Sequence, residues 1–242
     1  DGLFDSRPYW HLALYIRIVA MWAAGVACVV AGRNRGSVGV QLFGAALIGF
    51  FWQQFALFAH DGCHNSLTHV RATDYMVMVC STGLLGISPT WWKDSHNHHH
   101  VITNSIDCDQ DIQHLPFLSV SEKYFGGVRS KYHRKVLPWD AFSKFMVSRQ
   151  HLLYIPIMML ARVNLYVQSF VFLLGFAEAR DVATYKTHKK LELFSMSLFY
   201  VWFSWATLQL PTAATRAAFV LISHAVSGML HVQITISHFS MD

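Results

Sequence analysis

The chain has 242 residues, of which 53% are hydrophobic and only 14% are charged. An average soluble domain carries about 25% charged residues, so this composition excludes a disordered chain and argues against an ordinary soluble globule. The formal net charge is +5, but Lys and Arg form no long run, so the basic excess does not indicate a protein that binds nucleic acid. Fifteen histidines outnumber the 14 Asp and Glu residues, and this excess requires a chemical explanation.

Two long apolar segments lie near the start of the chain. Residues 12–31 are interrupted only by Arg17, and residues 38–59 contain no Lys, Arg, Asp or Glu. Each is long enough to cross a hydrocarbon core of about 30 Å as a helix. With the short polar turn GRNRGS between them, they predict a hairpin of two transmembrane helices. The alternative is a pair of buried helices in a soluble protein.

The middle of the chain is more polar. Residues 75–92 contain Gly83, Gly86 and Pro89 and end in two tryptophans, which is typical of a half-buried segment with an aromatic anchor at the membrane interface. The following residues are polar and rich in histidine. We therefore predict that residues 60–151 are cytosolic or interfacial.

A third apolar stretch, residues 152–176, is interrupted by Pro156, Arg162 and Asn164. These interruptions favour an interfacial or re-entrant segment, with a true span as the alternative. Two further apolar runs follow at residues 193–210 and 217–231, and the short PTAATR turn between them predicts a second hairpin.

The distribution of basic residues indicates the orientation. Residues 71–149 and 178–190 hold 13 of the 19 Lys and Arg residues, and the positive-inside rule makes that side cytoplasmic. The predicted fold is an all-α, polytopic integral membrane protein. It has two transmembrane hairpins, about four spans in all, with interfacial helices and a cytosolic histidine-rich cap, in one domain over residues 1–242.

The first histidine cluster, His60-Asp-Gly-Cys-His64, lies at the end of the second apolar run. Residues i and i+4 lie on the same face of a helix, so both imidazoles are able to hold one metal ion. Asp61 is placed to orient a ligand or a nearby water molecule. Two histidines at this spacing also occur by chance, but their position at the end of a predicted span strengthens the metal-site hypothesis.

The second cluster is HNHHH at residues 96–100, in which His96, His99 and His100 share one helical face while His98 points away. Imidazole is a ligand for Zn, Cu, Fe and Ni. A tetrahedral zinc site needs only three or four ligands, whereas the two clusters supply five. The surplus favours two metal ions and, among these metals, iron with coordination positions open to oxygen.

These motifs resemble two of the three histidine boxes of the membrane-bound fatty acid desaturase family. HDGCH at 60–64 is similar to the first box, HxxxH, and HNHHH at 96–100 is similar to the second, HxxHH. Residues 99–117 and 160–170 resemble the front-end and sphingolipid desaturase branch. The first ten residues, DGLFDSRPYW, resemble the segment that follows the cytochrome b5 domain in that branch. The resemblance covers almost the entire chain.

The resemblance implies O2-dependent desaturation of a lipid acyl chain or sphingoid base, as part of unsaturated fatty acid biosynthesis in the endoplasmic reticulum membrane. It implies two iron ions facing the cytosol and electrons from cytochrome b5, fused upstream or separate, with its reductase. The implied iron ligands are His60, His64, His96, His99, His100 and His231, with His238 as a weaker candidate. Asp61 and Asn97 are candidates for supporting hydrogen bonds, and the carboxylates Asp94, Asp107, Asp109 and Asp111 are either further candidates or solvated loop charges.

Three departures from the family pattern are visible. Cys63 occupies a position where the family usually has Gly. The third box, QxxHH in this branch, is absent, and in the family it follows the segment that resembles residues 231–242. We therefore expect the chain to be truncated before that box and incomplete as an enzyme. The HPGG motif of cytochrome b5 is also absent, so a fused donor domain is expected before Asp1.

Two alternative functions stay open. A lipid hydroxylase on the same scaffold has the same box spacing, and only the product separates the two reactions. A histidine-rich membrane metal transporter or binding protein belongs to another class, and it would carry ionisable residues along several spans. The clusters here lie at span ends, which disfavours transport. The sequence does not determine the position of the double bond or the lipid carrier.

Overall fold

The computed structural model describes residues 5–176 and 188–237. These residues are mostly helical and contain nine α-helices: α1 (Pro8–Asn34), α2 (Val38–Cys63), α3 (Arg71–Leu85), α4 (Pro89–Val101), α5 (Ala141–Ser148), α6 (Gln150–Met159), α7 (Arg162–Leu173), α8 (Lys189–Leu208) and α9 (Ala213–Ser237). A small antiparallel sheet pairs β1 (Val128–Ser130) with β2 (Lys135–Leu137).

Four of these helices, α1, α2, α8 and α9, are long and apolar enough to cross a membrane, which confirms the predicted polytopic helical fold. Their ends differ from the apolar runs by a few residues. The first helix begins at Pro8, because proline fits the first turn of a helix. The second continues past residue 59 to Cys63, which keeps His60 on a regular helical turn. Polar residues at a membrane boundary thus extend a helix beyond its apolar part.

The helices α3 and α4 form a helix–turn–helix unit where the sequence predicted one interfacial segment. The first ends at Gly86, whose φ of 73° lies in the left-handed region that glycine adopts readily. Ser88 then caps the second helix by accepting a hydrogen bond from the backbone N–H of Trp91, and Pro89 occupies the first turn. This sharp reversal carries α4 back to the cytosolic-facing end of α2 that the sequence predicts.

The helices α6 and α7 meet at an angle of 57° and are apolar enough to span only when taken together. This geometry corresponds to a broken span or a re-entrant loop. The sequence predicts an interfacial or re-entrant segment, with a true span as the alternative. Close to the bend, α9 approaches so closely that a Cβ added to Gly228 would lie 2.1 Å from the carbonyl oxygen of Met159. Small residues permit this kind of close contact between membrane helices.

Arg162, at the start of α7, is a fully buried cation. Its guanidinium donates to the carbonyl oxygen of Leu85 at 2.5 Å and to the hydroxyl of Tyr166 at 2.7 Å. The same group lies 4.5 Å from the centre of the Trp52 ring. The carbonyl of Leu85 is at the C-terminus of α3, where the helix dipole favours a positive charge. Arg162 therefore joins α7 to the end of α3 and to the middle of α2.

The polar segment between α4 and α5 has a small hydrophobic core of its own. Its buried residues are Ile112, Leu115, Tyr124 and Leu137, and Val147 of α5 packs with them. The two short strands belong to this unit, and the all-α prediction did not include them because three-residue strands are too short to show an alternating pattern. Gln110 anchors the unit to α4 by donating to the backbone carbonyl of Ser95 at 2.7 Å.

Candidate metal centre

Four histidines converge where the end of α2 meets α4. One ring nitrogen from each of His60, His64, His96 and His100 lies within 4.8 Å of the others. The ring centres of His96 and His100 are 4.4 Å apart, and the widest pair, His60 and His100, is separated by 6.4 Å. The structure therefore brings both predicted histidine clusters to one place.

The i, i+4 spacing on each helix explains this convergence. Two imidazoles project from the C-terminal end of α2, on His60 in its last turn and on its C-cap His64, and two from the C-terminal half of α4, so each helix presents one pair of rings. Trp92, one turn before His96, stacks on that ring with 4.1 Å between the centroids. The same indole packs edge-on against His60 at 5.6 Å. Trp92 thus fills the space between the two helices beneath the imidazoles.

The pKa shifts of two of the four imidazoles favour metal binding. Burial, with a further contribution from the neighbouring imidazoles, lowers the pKa of His64 to about 4. Burial and the neighbouring His96 also lower the pKa of His100. Metal ions bind neutral imidazole, so no proton has to leave these two side chains near pH 7.

The donor set of the cluster fits a metal ion. Within the described part of the chain, Nε2 of His64 is buried and has no hydrogen-bond partner, an arrangement that folded proteins usually avoid unless a ligand completes it. The Nε2 atoms of His96 and His100 are 3.0 Å apart, a separation that one shared ion accommodates. Four imidazoles without a carboxylate are typical of iron, zinc, copper or nickel sites.

His99, on the same helix, is held by a buried carboxylate. Its Nδ1 lies 2.9 Å and 3.0 Å from the two carboxylate oxygens of Asp109. The backbone N–H groups of Asn104 and Asp111 donate to the same carboxylate at 2.8 and 2.9 Å. A carboxylate on Nδ1 holds the proton there and places the lone pair on Nε2, as in many metal-binding histidines.

The electrostatics of this pair are consistent with a charged Asp109. The hydrogen bond to Asp109 raises the pKa of His99, although burial opposes the shift. Burial tends to raise the pKa of Asp109, but hydrogen bonds from His99 and from two backbone N–H groups outweigh it, so its pKa is lowered. The ring centre of His99 is 5.5 Å from that of His96, which places this buried pair directly beside the four-histidine cluster.

The other predicted residues have different positions. Asp61 lies 3.1 Å from Nδ1 of His60, which agrees with a supporting hydrogen bond. Asn97 is exposed, and its side chain has no hydrogen bond among the described residues. His98 contacts Gln110 at 3.2 Å and turns away from the cluster, as the helical spacing predicts.

His231 lies on α9 and belongs to neither of the two metal-competent groups found among the described residues, the four-histidine cluster and the group of His99, Asp109 and Asp111. His238, the weaker candidate, lies outside the described residues. The sequence analysis missed Trp92 as a packing partner of the cluster. The only available signal was its position one helical turn before His96.

Comparison with known proteins identifies the family. The fatty acid desaturase family model matches residues 37–241. The Delta 8-(E)-sphingolipid desaturase of Emericella nidulans is 40% identical over 201 residues, which cover 81% of this chain and 36% of that protein. The Delta(8)-fatty-acid desaturase of Helianthus annuus is 37% identical, covering 100% of this chain and 51% of the relative. The Acyl-lipid (9-3)-desaturase of Borago officinalis is 38% identical, with 99% and 51% coverage.

The chain thus spans between about one third and one half of the length of these relatives. No solved structure matches it at a significant level. The family match covers both histidine clusters and all the described helices except α1. On this basis the chain belongs to the fatty acid desaturase family.

Proposed function

We propose that the protein to which this chain belongs desaturates a membrane lipid, on an acyl chain or a sphingoid base, in an O2-dependent reaction at a histidine-bound pair of iron ions. The observation that carries the proposal is the convergence of His60, His64, His96 and His100 at the ends of α2 and α4. Membership of the desaturase family supplies the reaction class.

The histidines have distinct roles in this proposal. His60, His64, His96, His99 and His100 hold the iron ions, with His231 as a further ligand and the third box as the source of the rest. When bound, the two irons supply the redox chemistry that uses O2 to remove hydrogen from two adjacent methylene carbons. The side chains need not act as a general base at the lipid, because an unactivated C–H bond is not acidic.

The carboxylates around the cluster orient the ligands. Asp61 and Asp109 lie within hydrogen-bond distance of the Nδ1 atoms of His60 and His99. A proton held on Nδ1 fixes the tautomer in which Nε2 is the metal ligand. The two carboxylates therefore set the ring orientation and raise the basicity of the ligating nitrogen.

In this proposal, the lipid substrate reaches the metal centre from within the bilayer. The outward faces of the spans are apolar, with exposed side chains such as Leu12 and Ile16 on α1 and Phe194 and Val201 on α8. The histidine cluster lies at the end of α2, where the polar segment begins. A lipid chain therefore reaches the metal centre from the hydrocarbon core, and the polar segment covers the centre from the other side.

The proposal also includes an electron donor and a membrane location. Cytochrome b5, fused upstream or separate, delivers the electrons together with its reductase. The excess of Lys and Arg in residues 71–149 supports a cytosolic position of the histidines, and the endoplasmic reticulum is the proposed membrane.

The test is lipid analysis of a yeast host that expresses the full-length protein. A new double bond in a fatty acid or long-chain base, absent in the variant His64→Ala, supports the proposal. His98→Ala is the matched control, because this histidine faces away from the cluster. A hydroxylated lipid in place of an unsaturated one would contradict the proposal and show that the reaction is hydroxylation. Metal binding without any lipid product would indicate a metal-binding protein.

A further inference from the structure

Glu192 is a fully buried carboxylate in the first turn of α8. The hydroxyl of Tyr75 donates to it at 2.6 Å, and the hydroxyls of Ser88 and Thr90 donate to its two oxygens. The backbone N–H of Thr90 is a fourth donor, at 3.4 Å. No Lys or Arg forms an ion pair with this carboxylate within residues 5–176 and 188–237. Among the residues that the structure describes, its hydrogen-bond donors are therefore all neutral groups.

The positions of these hydrogen-bond donors show which helices the Glu192 carboxylate joins. Ser88 is the N-cap of α4, and Thr90 lies in its first turn. The N-terminus of a helix presents unpaired N–H groups and a partial positive charge, and both favour a carboxylate. The backbone N–H of Ser88 also donates to the hydroxyl of Ser169 on α7, at 3.0 Å. The start of α4 is thus attached to α8 and α7, and through Tyr75 to α3.

The position of α4 determines whether the two histidine pairs meet. A slip of one residue along a helix moves a side chain by about 1.5 Å and rotates it by about 100°. Metal–ligand distances tolerate deviations of only about 0.2 Å. A rotation of α4 would therefore turn His96 and His100 away from His60 and His64, even though the ligands themselves were unchanged.

We propose that Glu192 is a positioning residue for the metal centre: its carboxylate fixes the rotation and height of α4, so that His96 and His100 face His60 and His64. This inference rests on the proposed function of the cluster as an iron site. Glu192 lies almost a hundred residues beyond the second histidine cluster. On this proposal it supports metal binding without contacting the metal.

The experiment is titration of the metal-free, full-length protein with Fe2+, together with thermal unfolding of the same metal-free protein. Glu192→Gln replaces one accepting oxygen by a donor that faces hydroxyl donors. We expect iron affinity to fall about ten- to a hundred-fold, with the unfolding midpoint of the metal-free protein close to that of the wild type. Ser195→Ala is the matched control, because Ser195 lies one turn further along α8 and has no hydrogen bond to α4 among the described residues.

A second pair of variants keeps the test decisive if Glu192→Gln fails to fold. Thr90→Val removes one hydroxyl donor at constant shape, whereas Thr90→Ser retains it. We expect weaker iron binding for the valine variant and wild-type binding for the serine variant. Wild-type iron affinity in both Glu192→Gln and Thr90→Val would overturn the positioning role, and so would a loss of affinity that only parallels a loss of thermal stability. A wild-type protein that binds no iron would instead overturn the proposed function.

Discussion

His99 and Asp109 form the most buried ionisable pair beside the histidine cluster, with Nδ1 of the imidazole within 3.0 Å of both carboxylate oxygens. The two residues are separated by ten positions and belong to different structural units, since one lies on α4 and the other in the polar segment. Their contact joins that segment to α4, the helix that carries three of the candidate metal ligands. The polar segment therefore contributes to the geometry of the centre.

The first prediction concerns this pair. Asp109→Asn removes the charge that holds the proton on Nδ1 of His99, and we expect iron affinity to fall about ten- to a hundred-fold. Asp107→Asn is the control, because Asp107 is a partly exposed residue two positions away that pairs with the exposed Lys131. Surface ion pairs contribute little, so iron affinity should not change. Equal effects of the two variants in an Fe2+ titration would show that Asp109 has no special role.

The second prediction separates ligands from their neighbours. His64→Ala and His100→Ala each remove an imidazole from the four-histidine cluster, and we expect iron affinity to fall by at least about a hundredfold, because losing a ligand costs more than losing its hydrogen-bond partner. His98→Ala should retain iron, since His98 contacts Gln110 instead. The metal content of purified full-length protein measures the difference. Retention of iron by both ligand variants would contradict the proposed site.

The third prediction tests the contact between α9 and the bend. Gly228→Ala places a Cβ against the backbone of Met159, which cannot shift without straining the helix. We therefore expect a loss of about 1–3 kcal/mol in the free energy of unfolding. Gly83→Ala is the matched control, because its nearest neighbour would be 3.6 Å away, an ordinary contact. Thermal unfolding in detergent compares the two variants. A lower midpoint for Gly83→Ala than for Gly228→Ala would be inconsistent with this packing.

The fourth prediction concerns the buried cation. Arg162→Lys keeps the charge but cannot reach both Leu85 and Tyr166 or stack its planar group on Trp52. A hydrogen bond to a charged group contributes about 1.5–3 kcal/mol, and we expect a destabilisation of that order. Arg149→Lys, an exposed substitution, should leave the unfolding midpoint unchanged. If both variants unfold at the wild-type temperature, Arg162 does not hold α7 in place.

The spans were predictable from the sequence because a bilayer imposes one simple requirement, a sufficiently long apolar run. The pairing of histidines within each cluster was also predictable, since i, i+4 spacing fixes which side chains share a helical face. The ends of the helices were harder to predict from the sequence. The break between α3 and α4 was marked by Gly86 and by Ser88 followed by Pro89, but these signals lay inside a segment that was interpreted as a single interfacial stretch.

The buried charges were not predictable in the same way. Asp109 and Glu192 occur next to other polar residues, where a charge usually faces water, whereas Arg162 interrupts an apolar run. Their burial depends on partners far away in sequence, such as Leu85 for Arg162 and Ser88 for Glu192. Composition and periodicity carry no information about such partners. The contribution of Trp92 to the centre likewise depends on how two helices meet.

The order of these elements along the chain has a consequence for biosynthesis. The four imidazoles of the cluster lie within residues 60–100, whereas Glu192 is translated about ninety residues later. During translation, the histidines are therefore synthesised well before α8, the helix whose Glu192 is hydrogen-bonded to the start of α4. On the proposed role of Glu192, the young polypeptide holds iron only weakly during synthesis. Tight capture of the metal then becomes a late step of maturation, after the second pair of spans has entered the membrane.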